Sequence, residues 1–297
     1  MAELKRVPLA GTPVARPDYE VEPRDAGIIG DVARPLGTWE RIANLTWFRR
    51  LVILAALTLL WESNARWMNS PLLLPSVGEV MQAWFESLTR GALIDRTLTS
   101  IGVLLQGYAA GLFLAAVLTT LAVSTRVGGD LLSTLTAMFN PLPAIALLPL
   151  ALLWFGLGPK SLVFVIIHSV LWAVALNTHT GFMAVSETLR MAGQNYGLRG
   201  IWYVMKILIP AAFPSILAGM KIGWAFAWRT LIAAEMVFGV SSRAGGLGWF
   251  IYEHRQQMDT AFVFAGLLTV IVIGLLVESV IFRTIETRTV RRWGMQR

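Results

Sequence analysis

Cysteine is absent from the sequence, so disulfide frameworks, thiolate metal sites and covalent haem attachment are excluded from the start. Charge is scarce as well: Asp, Glu, Lys and Arg make up 14% of the residues, against about 25% in a soluble domain. Histidine occurs three times. The catalytic motifs H-E-x-x-H and G-x-S-x-G do not occur, and neither does the phosphate-binding G-x-x-x-x-G-K-[ST]. Gly156-Leu157-Gly158-Pro159-Lys160-Ser161 only echoes the last of these.

What fills the space is apolar. Hydrophobic residues make up 56% of the 297 and mean hydropathy is +0.62. Several runs approach the ~20 apolar residues that a bilayer core requires. The pattern predicts an all-α, polytopic membrane protein of about six spans, near 48–66, 98–123, 131–155, 161–182, 207–238 and 261–282. The first is the shortest, with its apolar heart at Leu51–Trp61. The second and fifth carry GxxxG faces, at Gly107/Gly111 and Gly219/Gly223, which allow close helix approach. The third contains Pro141, Pro143 and Pro149 and is expected to kink or break.

The net charge of +7 sits outside these runs. With the N-terminus inside, seventeen Lys and Arg fall on the inner side and six on the outer. This bias places both termini in the cytoplasm and argues against a nucleic-acid groove. The chain then divides into a flexible cytoplasmic tail over 1–46, a transmembrane domain over 47–285 and a basic cytoplasmic tail over 286–297. The first tail is polar and carries five prolines, and it reads as a tail, not a secretory signal. Its Trp39–Trp47 end is a candidate docking segment.

On the outer side, Ser76 and Glu79 have capping-box spacing ahead of Val77, Val80, Met81, Trp84, Phe85 and Leu88. An amphipathic helix follows, either lying on the membrane or bundle or contacting an external partner.

Polar residues at membrane depth are expensive and need a partner or a function. The fifth span carries Lys221, Arg229 and Glu235, and the fourth carries His168 and His179 with Trp172 between. Arg229, Lys221, Glu235 and His168 are candidate substrate-path residues, with internal ion pairing and bundle hydrogen bonding as the competing readings. The two histidines are ~16 Å apart along a helix and cannot share one metal ion. Gly245-Gly246-Leu247-Gly248 is either an anion cradle or an outer-loop turn.

The most informative stretch is cytoplasmic. Residues 184–206 are too long for a plain connection. Ser186 is placed to cap a helix from Glu187, and Gly193, Gly197 and Gly200 permit sharp turns. Met191-Ala192-Gly193, three residues, Gly197, nine residues and Ile207-Leu208-Ile209-Pro210 follow the EAA-loop spacing. The stretch resembles that loop in permease subunits of bacterial ABC importers, type I family, with Met191 in place of the usual glutamate.

Leu74-Pro75-Ser76, Leu147-Leu148-Pro149-Leu150, Trp154-Phe155-Gly156, Ala233-Ala234-Glu235 and Gly245–Gly248 are similar to the nitrate/sulfonate/taurine branch. The resemblance covers about residues 70–285. It implies a type I importer permease fold in the bacterial inner membrane and import of a small anion. It also implies a homodimer with two ATPase subunits, an external binding protein and surrounding lipid. Met191, Ala192, Gly193, Gln194, Tyr196, Gly197, Leu198 and Arg199 would form the ATPase-coupling element. ATP and magnesium would bind the partner ATPases, this chain holding no cofactor and being no enzyme itself. An ion-driven secondary transporter or channel, using the buried Lys, Arg, Glu and His groups as a relay, is the other reading.

Overall fold

A computed structural model describes residues 44–238 and 245–292. The tail before residue 44, with the Trp39 start of its docking segment, Arg243 of the outer loop and the last five residues lie outside them. The described residues are mostly helical, with no strand among them.

Helix α1, Thr46–Met68, contains the division of the chain into two compact units, after Ala56. In the larger unit its C-terminal part is tied to the segment that follows. Trp61 Nε1 donates to Pro75 O at 3.0 Å, and Val77 N donates to Glu62 Oε2 at 2.9 Å. Arg66 Nε pairs with the other oxygen of Glu62 at 2.8 Å.

Helix α2, Val77–Thr89, begins with the capping box that its sequence predicts: Glu79 N donates to Ser76 Oγ and Ser76 N to Glu79 Oε2. It lies over the bundle, where Trp84 Nε1 donates to Thr269 Oγ1 at 2.9 Å.

Among the described residues, four helices are long and apolar enough to cross a membrane: α3 (Leu93–Ser124), α6 (Pro159–Met183), α8 (Gly200–Val237) and α10 (Thr260–Arg291). The third expected span is instead a broken pair. Helix α4, Arg126–Phe139, is followed at Pro141 and Pro143 by a short 3₁₀ turn, Ala144–Leu147, and α5, Leu148–Phe155. The chain bends by 87° there, and counting the pair as one span gives five. Proline lacks the N–H that would continue the ladder, which is why the break falls at this point. Helix α1 stays outside the set, its apolar run being short and flanked by Arg49, Arg50, Glu62 and Arg66.

Helix α6 is the central element, buried around most of its circumference between α3 and α8. Apolar burial gives little drive between helices in lipid, so close backbone approach must hold them. A Cβ on Gly107 or Gly111 of α3 would lie 2.6 or 2.7 Å from Ile166 or Val170 of α6. One on Gly219 of α8 would lie 2.8 Å from Asn177. Both GxxxG faces are therefore spent on α6. Helix α7 (Glu187–Asn195) joins α6 to α8, and α9 (Leu247–Gln256) precedes α10.

Candidate functional sites

At one end of α6, residues 184–206 build a helix, a turn and a second helix. Ser186 stands at the N-cap position with extended ψ of 144°, but its side chain makes no capping bond. Its carbonyl instead accepts from Leu189 N and Arg190 N, both at 3.1 Å. The other end of α7 closes as a Schellman turn: Leu198 N donates to Gly193 O at 3.1 Å and Gly197 N to Gln194 O at 2.8 Å. Gly197 has φ +73° and Gly200 φ +55°, the left-handed conformation in which side chains are strained.

Gly193 has a different task from the turn expected of it. It lies inside α7, buried, where a Cβ would come within 2.8 Å of Ile207 Cγ1. This close approach seats α7 on the first turns of α8. Beneath lies a small apolar core of Phe182, Val185, Val204, Leu208 and Ala212. A π-helical turn at Val204–Leu208 precedes Pro210.

Outward, the same segment is greasy. Met191, Ile201 and Met205 are exposed, Tyr196 is 87% exposed and Trp202 60%. Lys206 Nζ lies 5.4 Å from the Trp202 ring centre. Exposed apolar side chains on a structured turn are available to a partner or to lipid.

Arg190 is a member of this loop that the EAA spacing does not single out. Its Nη2 donates to Phe182 O at 2.6 Å and its Nε to Val185 O at 3.1 Å. It thus reaches from α7 back to the carbonyl end of α6, where a cation is electrostatically favoured. No local sequence pattern marks this, because the acceptors are backbone oxygens brought near by a chain reversal.

The second site is a cleft of about 430 Å³ in the bundle. Residues 140–145 at the broken span form one wall, His168, Ser169 and Trp172 of α6 another, and Phe226, Arg229, Thr230 and Ala233 of α8 the third. Ser169 Oγ donates to Thr230 Oγ1 at 3.0 Å and ties the last two walls. Trp172 stacks on Phe139 at 5.6 Å, and His168 sets its edge against both rings.

Few hydrogen bonds tie down the polar groups around the cleft. Arg229 uses Nε on Ala225 O, its own helix, and holds its guanidinium carbon 5.0 Å from the Phe226 ring centre. The imidazole nitrogens of His168 and the indole nitrogen of Trp172 are buried without a partner among the described residues. The exposed, delocalised cation of Arg229 beside aromatic walls suits a small anion.

Of the four path residues expected from sequence, the cleft brings together only Arg229 and His168. Lys221 is elsewhere, paired with Glu286 Oε2 at 2.7 Å and Glu278 Oε1 at 3.7 Å. Glu235, 1% exposed, accepts from Ser100 Oγ and from Gly248 N, each at 2.8 Å. Ser100 Oγ in turn accepts from Leu247 N at 2.8 Å. The Gly248 N–H of the Gly245–Gly248 segment is taken by the chain's own Glu235 carboxyl group. The four groups thus stand at three separate places, which does not favour an ion-driven relay through them. Among the described residues no three His, Asp or Glu side chains gather to hold a metal ion.

Residues 97–290 match the family model described as binding-protein-dependent transport system inner membrane component. Among curated proteins, one named as an ABC transporter permease in Methanocaldococcus jannaschii is 32% identical, over 75% of this chain and 84% of its own length. The taurine transport system permease protein of Escherichia coli is 28% identical, over 75% and 81%. The nitrate import permease protein of a Synechocystis strain is 27% identical, over 78% and 86%.

Proposed function

The chain belongs to the family of binding-protein-dependent transport system inner membrane components, the permeases of ABC importers, and from that premise we propose how it works. It passes a small anion, of the taurine, sulfonate or nitrate kind, through the cleft beside Arg229 and His168. Two copies of the chain enclose the path. Two ATPase subunits dock on the exposed side chains of residues 191–205, and an external binding protein delivers the substrate. Both termini face the cytoplasm, with N-terminal tail 1–46, membrane domain 47–285 and basic tail 286–297. The chain has no ATPase site of its own, and ATP and magnesium belong to the partner subunits.

The observation that carries this reading is the exposed apolar surface of the 187–205 segment on a turn of fixed geometry. Met191, Ala192, Gly193, Gln194, Tyr196, Gly197, Leu198 and Arg199 make the handle. Met191 offers thioether contact where the EAA pattern has a carboxylate. ATP-driven closure of the ATPases then moves α7, and with it the spans that line the cleft.

Co-purification tests the handle. Tyr196→Glu and Trp202→Glu place charge in the patch and should release the ATPase subunits while the permease remains in the membrane. Full retention of the ATPases by both variants would overturn the docking reading. Uptake of labelled taurine, an alkanesulfonate and nitrate by the reconstituted importer then identifies the anion.

A further inference from the structure

Three residues, Ala184, Val185 and Ser186, separate the last residue of α6 from the first of α7. Such a short non-helical link is a natural hinge. A push on α7 at this hinge would be absorbed by backbone rotation before it reached α6. One side chain bridges the hinge. Arg190, half-buried on α7, donates to Phe182 O on the last turn of α6 and to Val185 O within the link.

We propose that Arg190 is the positioning residue that makes α6 and the coupling helix one rigid lever, so that ATPase movement reaches the cleft through α6. The proposal rests on the docking of ATPases at 191–205 described above. Its physical basis is threefold. Both bonds run from a cation to neutral carbonyls, which makes them stronger than neutral hydrogen bonds. A guanidinium presents two donors in a fixed plane, so it fixes an orientation as well as a distance. Phe182 and Val185 are buried in the apolar core under the loop, where water competes poorly for their carbonyls.

What the lever moves follows from the same helix. Fourteen residues before Phe182 on unbroken α6 stands His168, followed by Ser169 and Trp172. These three form one wall of the cleft. The other attachment of α7 described above, the packing of Gly193 on Ile207, leads to the start of α8, which meets the end of α6 through apolar contacts of Phe182 with Val204 and Leu208. Arg190 is the polar route to α6.

The absence of cysteine allows a direct test. Ala233→Cys places one thiol in the cleft of the assembled transporter with its ATPase subunits. The rate of maleimide labelling is compared with and without trapping by ATP and vanadate. Linked sites commonly couple by about 5- to 150-fold, and an ATP-dependent change of about tenfold is expected with Arg190 present. Arg190→Ala should bring this ratio to within about twofold while ATPase subunits stay bound and hydrolyse ATP. Arg190→Lys, whose single ammonium replaces the planar fork, should restore about threefold.

If Arg190→Ala fails to assemble, the lysine variant decides alone. Wild-type ratios in every assembled Arg190 variant would overturn the lever. So would loss of ATPase binding in proportion to loss of the ratio, which is the mark of a merely structural residue. A ratio of one with Arg190 intact would overturn the docking reading itself, and the lever with it. Gly197→Val separates the two failures: if it abolishes the ratio and Arg190→Ala does not, only the lever falls.

Discussion

Gly193 and Gly197 stand four residues apart in the same loop, yet the structure requires glycine at each for opposite reasons. At Gly197 the requirement is conformational: φ is +73°, and a Cβ there would meet no atom within 4 Å. At Gly193 it is steric: the helix is regular, but a Cβ meets Ile207 Cγ1 at 2.8 Å and Tyr203 Cε2 at 3.2 Å. Left-handed backbone costs an L-residue about 1–2 kcal/mol, with asparagine least penalised and β-branched residues most. Substitutions at 197 should therefore rank Gly, Asn, Ala, Val, regardless of volume. At 193, overpacking costs about 1–3 kcal/mol, offset in part by the about 1 kcal/mol gain of alanine over glycine in a helix. The ranking there should follow size.

Titrating ATPase subunits onto the permease variants measures both series. About 1.4 kcal/mol is a tenfold change in Kd, so Gly197→Ala should weaken docking about fivefold and Gly197→Val by more than tenfold. A compensating cut separates the causes. Ile207→Ala should recover most of the affinity lost in Gly193→Ala and none of that lost in Gly197→Val. If Gly197→Asn is as damaging as Gly197→Val, or if Ile207→Ala rescues both glycines, the assignment of conformational and steric roles is wrong.

Other expectations follow from single contacts. Arg229→Ala should lower anion uptake about tenfold or more, with ATPase docking unchanged, since a charge-assisted bond is worth about 1.5–3 kcal/mol; equal uptake of the anion by the variant would place the path elsewhere. Glu235→Leu leaves Gly248 N–H buried without its acceptor, a cost of about 1–3 kcal/mol, so its purified complex should show a lower thermal midpoint than that of Glu235→Gln. Equal midpoints for the two variants would refute the carboxylate's role as an acceptor. For the half-buried Lys221–Glu286 pair, a double-mutant cycle of Lys221→Met and Glu286→Gln should give about 1 kcal/mol or less, shrinking as salt rises. A salt-independent value would mean packing, not charge, joins these helices.

How much of this is legible in the sequence depends on the distance between cause and partner. The Ser76–Glu79 capping box, the break at Pro141 and Pro143 and the turn at Gly197 are legible because each is decided within a few residues. The GxxxG faces are legible as close-packing surfaces, but nothing in them says that both pack on α6. Lys221 and Arg229 lie within one broad face of a helical wheel, yet eight residues separate them by ~12 Å along the axis. Lys221 finds its carboxylates on α10, 57 and 65 residues later, and no local signal announces them. Glu235 reads as a substrate-path residue and Gly248 as part of an anion cradle or an outer-loop turn, and the structure pairs them with each other. Arg190 is invisible in the sequence because its acceptors are carbonyls, which every residue carries.

The packing of α6 also limits where the cleft can change shape. Glycines 107 and 111 press α3 against one side, while Gly219 and Gly223 press α8 against another, at distances that leave no slack for a Cβ. Ser169 and Thr230 add a hydrogen bond between two walls of the cleft itself. Interfaces this dense shift between discrete arrangements and do not stretch, so α6 and α8 are poor candidates for moving apart. The remaining wall, residues 140–145, is the break between α4 and the 3₁₀ turn, where Pro141 and Pro143 remove two donors that would otherwise stiffen it. A lever that turns α6 with α8 as a block would therefore change the cleft by moving its dense walls past the proline-broken one.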